Sequence, residues 1–234
     1  MTTFNDVLQR RLRADAGRPL VTCYDERTGE RTELSVTTYA NWVAKTASLW
    51  VEEFDLERGS RVRLDLPTHW LGPVFLGAAW CLGAVVVADG EESDLVVCGP
   101  DGVERAAALG VPVLASALLP MGVRFREALP SGVRDYGVEV WSQPDAFVPW
   151  DPPGDQDAAF DDLSQAALWT QPTAAVPERI LTDANPVTRA GLWSFTGPFA
   201  AGGSTVWVAG GNPDRHADLA ATEHAVVVGQ PIRS

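Results

Sequence analysis

The chain has 234 residues, a length that fits one large α/β domain or two tightly packed small ones, and its 46% hydrophobic content can build a substantial core. The formal net charge of −13 opposes attraction to nucleic acid and to anionic membranes, which excludes a nucleic-acid-binding role. No apolar run typical of a signal peptide follows Met1, and the apolar stretch 70–88 contains three glycines that interrupt any membrane span. We therefore expect a cytoplasmic protein without a membrane segment.

Hydrophobic periodicity and turn residues predict an α/β fold in which a mostly parallel sheet is flanked by helices. The repeated alternation of strands and helices favours a doubly wound arrangement. The first predicted helix begins after Thr3 and ends near 17–19. The other predicted helices are one that begins among 35–38 and reaches Trp50, 70–82, 102–109, about 188–199, and one capped by Asn212. The predicted strands are the hairpin 20–24 and 31–34, then 62–66, 84–87, 95–98, 111–114, 137–141, 166–169, 180–182, 205–208 and 225–228.

A segment rich in Pro, Gly and Asp separates two parts of the chain. We predict an N-terminal α/β subdomain over 1–130, a surface connection over 131–162, and a second α/β segment over 163–234 that packs on the first. Two of the nine tryptophans, Trp141 and Trp150, lie in or beside this connection. They are either exposed contacts for a partner or anchors that pin the connection to the domain.

Four stretches resemble landmarks of one enzyme family. Residues 59–67 (GSRVRLDLP) resemble a "G-D-x-V-a-l-x-l-P" strand, and residues 70–87 resemble the helix and "G-A-v-x-v-P" strand that follow it. Residues 186–192 and 198–208 resemble "P-l-f-H-x-x-G-l" and "p-L-x-x-G-x-x-v-v-l". In this order the stretches resemble the N-terminal part of adenylate-forming (AMP-binding, acyl-CoA synthetase-like) enzymes, over most of 3–228. The resemblance implies the α/β fold of their N-terminal subdomains.

The family's phosphate-binding loop, rich in Ser, Thr and Gly and ending in Pro-Lys-Gly, has no match here. Residues 170–178 read TQPTAAVPE. Either they are the eroded loop, with Pro177 at the family's proline and Glu178 in place of lysine, or the loop and its following helix are deleted. Both alternatives lack a glycine and a cation, and a carboxylate about 4 Å from a phosphate charge costs about 1–4 kcal/mol. We therefore expect no ATP binding in the family's manner.

The resemblance also bears on catalysis. The chain stops at Ser234, before the family's hinge and the small C-terminal domain that carries its catalytic lysine. We expect no adenylation by this chain alone, no catalytic residue and no cofactor. Arg189 stands near the position where many relatives carry a histidine close to the acyl pocket, or is an exposed residue in a helix's first turn. The candidates for binding a ligand or cofactor are Thr170, Thr173, Arg189, Gly191, Gly202 and Gly203.

Other chemistry finds little support in the sequence. Gly202-Gly203-Ser204 lacks the glycine that follows a nucleophile elbow, which favours a turn before a strand. His216 and His224, with nearby aspartates, match none of the short zinc motifs, so we expect no metal. His69 is interpreted as a capping or packing residue. The odd set of widely spaced cysteines is predicted to be buried thiols: Cys23, Cys81 and Cys98.

These observations favour a non-catalytic relative of adenylate-forming enzymes that binds a partner protein, with a homodimer as the simplest case, or a small acyl or nucleotide-like ligand. The alternative is half of a two-chain acyl-adenylating or acyl-CoA ligase system that retains an acyl or CoA pocket. Fold alone supplies no activity.

Overall fold

The structure is a computed structural model that describes residues 2–170 and 179–229. Its helices are α1 (Phe4–Asp15), α2 (Val36–Phe54), α3 (Leu71–Leu82), α4 (Val103–Ala107), α5 (Tyr136–Glu139), α6 (Trp193–Ala201) and α7 (His216–Thr222). Its strands are β1 (Pro19–Asp25), β2 (Glu30–Ser35), β3 (Arg61–Asp65), β4 (Val85–Val87), β5 (Leu95–Cys98), β6 (Val113–Ala115), β7 (Val133–Asp135), β8 (Ala158–Phe160), β9 (Leu163–Ser164), β10 (Arg179–Thr182), β11 (Ser204–Ala209) and β12 (Val226–Val227).

Short-range hydrogen bonds fix the ends of the first helices. Thr3 caps α1 in a capping box, because its hydroxyl accepts the backbone N–H of Asp6 while the Asp6 carboxylate accepts the backbone N–H of Thr3. Ser35 caps α2 by accepting the N–H of Thr38 at 3.1 Å. α3 ends at Gly83, whose φ of 90° suits glycine. These ends agree with the sequence predictions.

The strands form two sheets. Sheet A has the order β12-β10-β11-β1-β2, in which only the β1–β2 hairpin is antiparallel. Sheet B has the order β7-β6-β5-β3-β4-β8-β9 and is parallel except for β8–β9. The α/β class with mostly parallel strands and flanking helices is therefore confirmed, and the strands divide between two sheets.

The core is built around α3, whose twelve residues are all buried. Gly77 is required at its centre, since a Cβ there would meet Val43 at 2.7 Å and would also reach the Tyr39 hydroxyl. Stacked and edge-on aromatic rings join α1, α2, α3 and α6 into one cluster. The fully buried Gln165 accepts the N–H of Phe4 at 2.9 Å and donates to the Trp80 carbonyl at 3.0 Å.

Three predicted elements are wrong. Residues 137–141 are not a strand: Asp135 accepts the N–H of Gly137 and starts α5, and a 3₁₀ turn over Val140–Ser142 follows it. Tyr136 and Val140, four residues apart, are both buried. Residues 166–169 form a 3₁₀ turn over Ala167–Trp169. The helix predicted from 188 begins only at Trp193, because turns occupy 186–192.

The Pro- and Asp-rich connection is more structured than the sequence suggests, because it supplies β7 and β8 to sheet B. The division into 1–130, 131–162 and 163–234 stays a prediction. Strands from the first and last of these parts nevertheless share sheet A, where β1 pairs with β11.

Candidate functional site: a cleft between the two sheets

A cleft of about 310 Å³ lies where strands of both sheets end. Its walls come from the residues that follow β1, β3 and β10, from the end of β11 and from the start of α7. The lining residues are Arg27, Pro67, Thr68, Asp183, Val208, Ala209, Gly210, Gly211 and His216. We call it the inter-sheet cleft.

The strand order explains why a crevice opens here. In sheet A the chain passes from β10 to β11 on one side and then to β12 on the other side of β10. The connecting helices cover opposite faces: Phe195 of α6 packs against Trp207, whereas Ala220 of α7 packs with Val206. Sheet B reverses in the same way at β3, which lies between β4 and β5. Ligands of open α/β sheets bind at the carboxyl ends of strands where the order reverses.

One wall of the cleft is held by a clamp between the β1–β2 turn and the end of β11. Glu26 accepts the N–H of Asn212 at 3.1 Å and pairs with Arg215 at 2.6 Å. Side chains at Gly210 or Gly211 would collide with Arg27 or Glu26, and Gly210 has a φ of 67°. The two glycines therefore allow the turn to approach the strand end closely.

Arg27 brings a guanidinium to this wall, and its charge is balanced by Asp25. Its Nε and Nη2 atoms bind the two Asp25 oxygens at 3.1 and 3.0 Å, and this pairing lowers the pKa of Asp25. The arginine is otherwise exposed, so its remaining N–H groups face solvent. Asp183 and His216 have no ion pair within the described part of the chain. The cleft thus offers a cationic donor, a carboxylate and an imidazole to a ligand.

His69 lies directly after the cleft residue Thr68 and is buried. Its Nδ1 accepts the N–H of Leu71 at 3.2 Å, which places the ring proton on Nε2. The pKa of His69 is lowered to about 4, and burial is the largest of the effects that lower it. The ring is therefore neutral at pH 7. A neutral, packed ring agrees with its interpretation as a capping residue.

The ligand candidates taken from the sequence lie elsewhere than in this cleft. Thr170 is exposed and donates to the Ala167 carbonyl. Arg189 donates to the Phe160 carbonyl at 3.3 Å and pairs with Asp162 at 3.1 Å. Thr173 is outside the described residues.

The three candidate glycines serve the backbone. Gly191 lies against the backbone of Asn185, with no space for a side chain. Gly202 ends α6 with a φ of 91°, and the Gly203 carbonyl accepts a 2.8 Å hydrogen bond from the buried Arg11. This is the predicted turn before a strand. Their assignment to a ligand site stays a prediction.

The cysteine prediction is confirmed: Cys23, Cys81 and Cys98 are buried and free, and burial raises the pKa of Cys23 and Cys81 to about 12. Over residues 2–170 and 179–229, no group of three or more His, Cys, Asp or Glu side chains is placed to hold a metal ion. Within the same ranges, none of the helices has the length and apolar character needed to cross a membrane.

Comparison with known proteins decides the family. No protein-family model matches the sequence. A TIGR03089 family protein from Mycobacterium tuberculosis is 36% identical over 224 residues, which cover 89% of each chain. The chain belongs to the TIGR03089 family. The strand predicted within 59–67 and the helix and strand predicted within 70–87 are present as β3, α3 and β4.

Solved structures show the fold of this TIGR03089 member. An acyl-CoA synthetase from Brucella canis superposes with a TM-score of 0.77 at 16% identity, over 98% of this chain and 47% of that one. A benzoate CoA ligase from Burkholderia xenovorans LB400 gives 0.71 at 16% identity, over 96% and 49%. The inhibitor-bound N-terminal domain of FACL13 from M. tuberculosis gives 0.73 at 15% identity, over 98% and 62%.

The fold is therefore that of the N-terminal part of acyl-CoA synthetases, as the sequence landmarks imply. The TIGR03089 chain spans about half the length of the two full synthetases that it matches. At these identities the likeness concerns the fold and leaves the activity open.

Sequence reasoning missed most of the inter-sheet cleft. No motif contains the cleft residues Arg27, Thr68 and Asp183, and the residues next to each of them give no sign of a ligand site. The signal that could have found them is positional: each follows a predicted strand within three residues. In parallel sheets such positions meet at one edge. The Gly210-Gly211 pair after β11 is a second signal of the same kind.

Proposed function

We propose that this TIGR03089 protein binds a small carboxylic acid in the inter-sheet cleft and does not adenylate it. The observation that carries the proposal is the convergence of four strand ends from two sheets on one cleft that holds Arg27, Asp183 and His216. A cleft at a reversal of strand order is the usual ligand position in open α/β sheets.

The size and chemistry of the cleft support the ligand class. Its volume of about 310 Å³ is near the lower limit of ligand pockets, which favours a small molecule. Arg27 can donate to a ligand carboxylate from the N–H groups that its pairing with Asp25 leaves free, because a guanidinium carries five donors. Asp183 favours a ligand that carries a donor as well, such as a hydroxyl or amino group. The solved neighbours include a benzoate CoA ligase, so the same fold serves a carboxylic acid in that protein.

The absence of adenylation rests on the sequence between the two landmarks. Residues 170–178 contain no glycine, lysine or arginine, the residues by which a loop closes around phosphates. Glu178 adds a negative charge beside any phosphate held there. The two-chain ligase alternative requires that a second polypeptide supply these groups.

The test is isothermal titration of the full chain with benzoate, hydroxybenzoates, short hydroxy acids, ATP, AMP and CoA. We expect binding of one or more acids, loss of that binding in Arg27→Met, and no heat with ATP. Arg61→Met is the matched control, since Arg61 pairs with Glu91 at an exposed site away from the cleft. Binding of ATP or CoA would favour the two-chain ligase. Acid binding that survives in Arg27→Met would refute the cleft assignment.

A further inference from the structure

A second depression lies on another part of the surface and has a different character. It is an apolar groove of about 420 Å³ formed by the end of α2, the end of α3 and the segment 147–151. Its apolar lining includes Val51, Leu56, Leu82, Phe147, Val148 and Trp150. Leu56 and Leu82 are buried and lie at its base. We call it the Trp150 groove.

The segment that carries Trp150 is tethered at both ends. Lys45 of α2 pairs with Asp145 at 3.1 Å and also donates to the carbonyl of Gln143. Arg58 pairs with Asp151 at 2.9 Å and with Asp157 at 3.2 Å. Ion pairs on both sides therefore fix the span between these anchors against α2 and the loop that follows it.

Within this span the side chains alternate. Phe147 and Pro149 are partly buried, and Phe147 packs against the main core. Val148 is 87% exposed and Trp150 is fully exposed. Alternation with a period of two places Val148 and Trp150 on the same, outer side of an extended segment. An exposed pair of large apolar side chains beside an apolar groove is typical of a protein-binding surface, and tryptophan is one of the residues enriched at binding hot spots.

The two chain segments that border the groove, 52–57 and 145–157, are rich in carboxylates. Eight carboxylates lie on the two bordering segments: Glu52, Glu53, Asp55, Glu57, Asp145, Asp151, Asp155 and Asp157. Four of them pair with Lys45, Arg58 or Arg134, and the other four have no ion pair in the ranges that the structure describes. Along the chain, these eight acids and the three bases that pair with them carry a net charge of −5. In the groove lining itself Asp151 pairs with Arg58, and Glu57 has no ion pair among the described residues.

We propose that the Trp150 groove binds a basic segment of a partner protein, whose apolar side chains cover Val148 and Trp150 while its Lys and Arg side chains pair with the bordering carboxylates. The negative charge of the bordering carboxylates favours a partner that carries positive charge. A second copy of the chain would bring the same acidic border against this one, and its net charge of −13 would add to the repulsion. The proposal is independent of ligand binding in the inter-sheet cleft.

The experiment is selection of a displayed library of random 12-residue peptides on the immobilised full chain, with a parallel selection on Trp150→Ala. We expect enriched peptides to combine two or more Lys or Arg residues with an aromatic or aliphatic residue. As synthetic peptides they should bind Trp150→Ala at least tenfold more weakly, and binding should weaken as NaCl is raised. Because Trp150 is fully exposed, its removal should leave the melting temperature unchanged.

Matched variants separate the groove from the rest of the surface. Leu109→Ala removes an exposed apolar side chain next to α4 and should leave peptide binding unchanged. Glu57→Gln removes a bordering carboxylate and should weaken it. Enrichment without a basic excess, equal affinity for Trp150→Ala, or no enrichment over the variant would each overturn the proposal. A wild-type dimer in sedimentation velocity that Trp150→Ala dissociates would also overturn it, because the occupant would then be a second copy.

Discussion

Replacing Glu223 with glutamine tests how the last helix is attached to sheet A. The Glu223 side chain is only 8% exposed, and it accepts hydrogen bonds from the Tyr24 hydroxyl at 2.5 Å, from Arg31 Nε at 2.8 Å and from Arg179 Nη2 at 2.6 Å. These donors come from β1, β2 and β10. The Arg31 hydrogen bond is the largest of the effects that lower the pKa of Glu223, to about 2.

The expected loss follows from these contacts. A hydrogen bond to a charged group contributes about 1.5–3 kcal/mol, but both arginines keep Glu33 as a partner in Glu223→Gln. We therefore expect the free energy of unfolding to fall by about 2–3 kcal/mol. For a domain of this size, that loss lowers the melting temperature by about 4–12 °C. Urea unfolding should show a lower midpoint with an unchanged m-value.

The pH dependence gives a second, independent reading. The pKa of Glu223 is lower in the folded chain than its ordinary value of about 4.3. Its contribution to the free energy of unfolding is therefore complete above about pH 4.3 and is lost as the pH falls towards 2. The difference between wild type and Glu223→Gln should be constant from pH 5 to 8 and shrink below pH 4.

The control is Glu91→Gln, which removes a 60%-exposed partner of Arg61 and should cost no more than about 0.5 kcal/mol. A loss below about 0.5 kcal/mol in Glu223→Gln would show that Glu223 contributes no more than an exposed ion pair and does not hold the last helix to sheet A. So would a difference that does not change with pH.

Three further predictions concern the core and the edge of the cleft. The pKa of His69 is about 4 in the folded chain and about 6.5 in the unfolded chain, so acid favours the unfolded chain. Between pH 7 and 4 the free energy of unfolding, measured with urea, should therefore fall by up to about 3 kcal/mol more in wild type than in His69→Asn. Gly77→Ala should destabilise by about 1–3 kcal/mol despite the better helix former, because its Cβ would meet Val43 and Phe4; a gain in melting temperature would contradict this. Gln165→Leu should cost about 1–3 kcal/mol, since the Phe4 N–H loses its buried acceptor; calorimetry showing no loss would count against that contact.

Much of the fold follows from local sequence. The apolar spacing of α2 and its cap Ser35 mark that helix, and the polar turn 25–29 marks the β1–β2 hairpin. The helix α5 and the 3₁₀ turn after it were missed because residues 137–141 alternate like a strand, whereas the buried Tyr136 and Val140 are four residues apart, which is the spacing of a helical turn. The separation into two sheets could not be predicted, because β1 pairs with β11 about 180 residues further along the chain and local sequence patterns do not indicate such distant pairing.

Less of the candidate site than of the fold could be predicted from the sequence. The resemblance to adenylate-forming enzymes drew attention to Arg189 and Gly191, which the fold uses for an ion pair and for close packing. Arg27, Thr68 and Asp183 become neighbours only after both sheets are assembled, because each comes from a different strand end. Such a site can be found from the order of the strands in the sheets, and no short sequence motif indicates it.

The most direct test of ligand binding in the inter-sheet cleft is a ¹H–¹⁵N chemical-shift map of the full chain with the acid that binds best. We expect the largest changes to cluster at residues 27, 68, 183 and 210–216, and we expect none on addition of ATP. Changes concentrated at Thr170 and Arg189 would contradict binding in the inter-sheet cleft, because the ligand would then lie at the candidates that the resemblance to adenylate-forming enzymes implies.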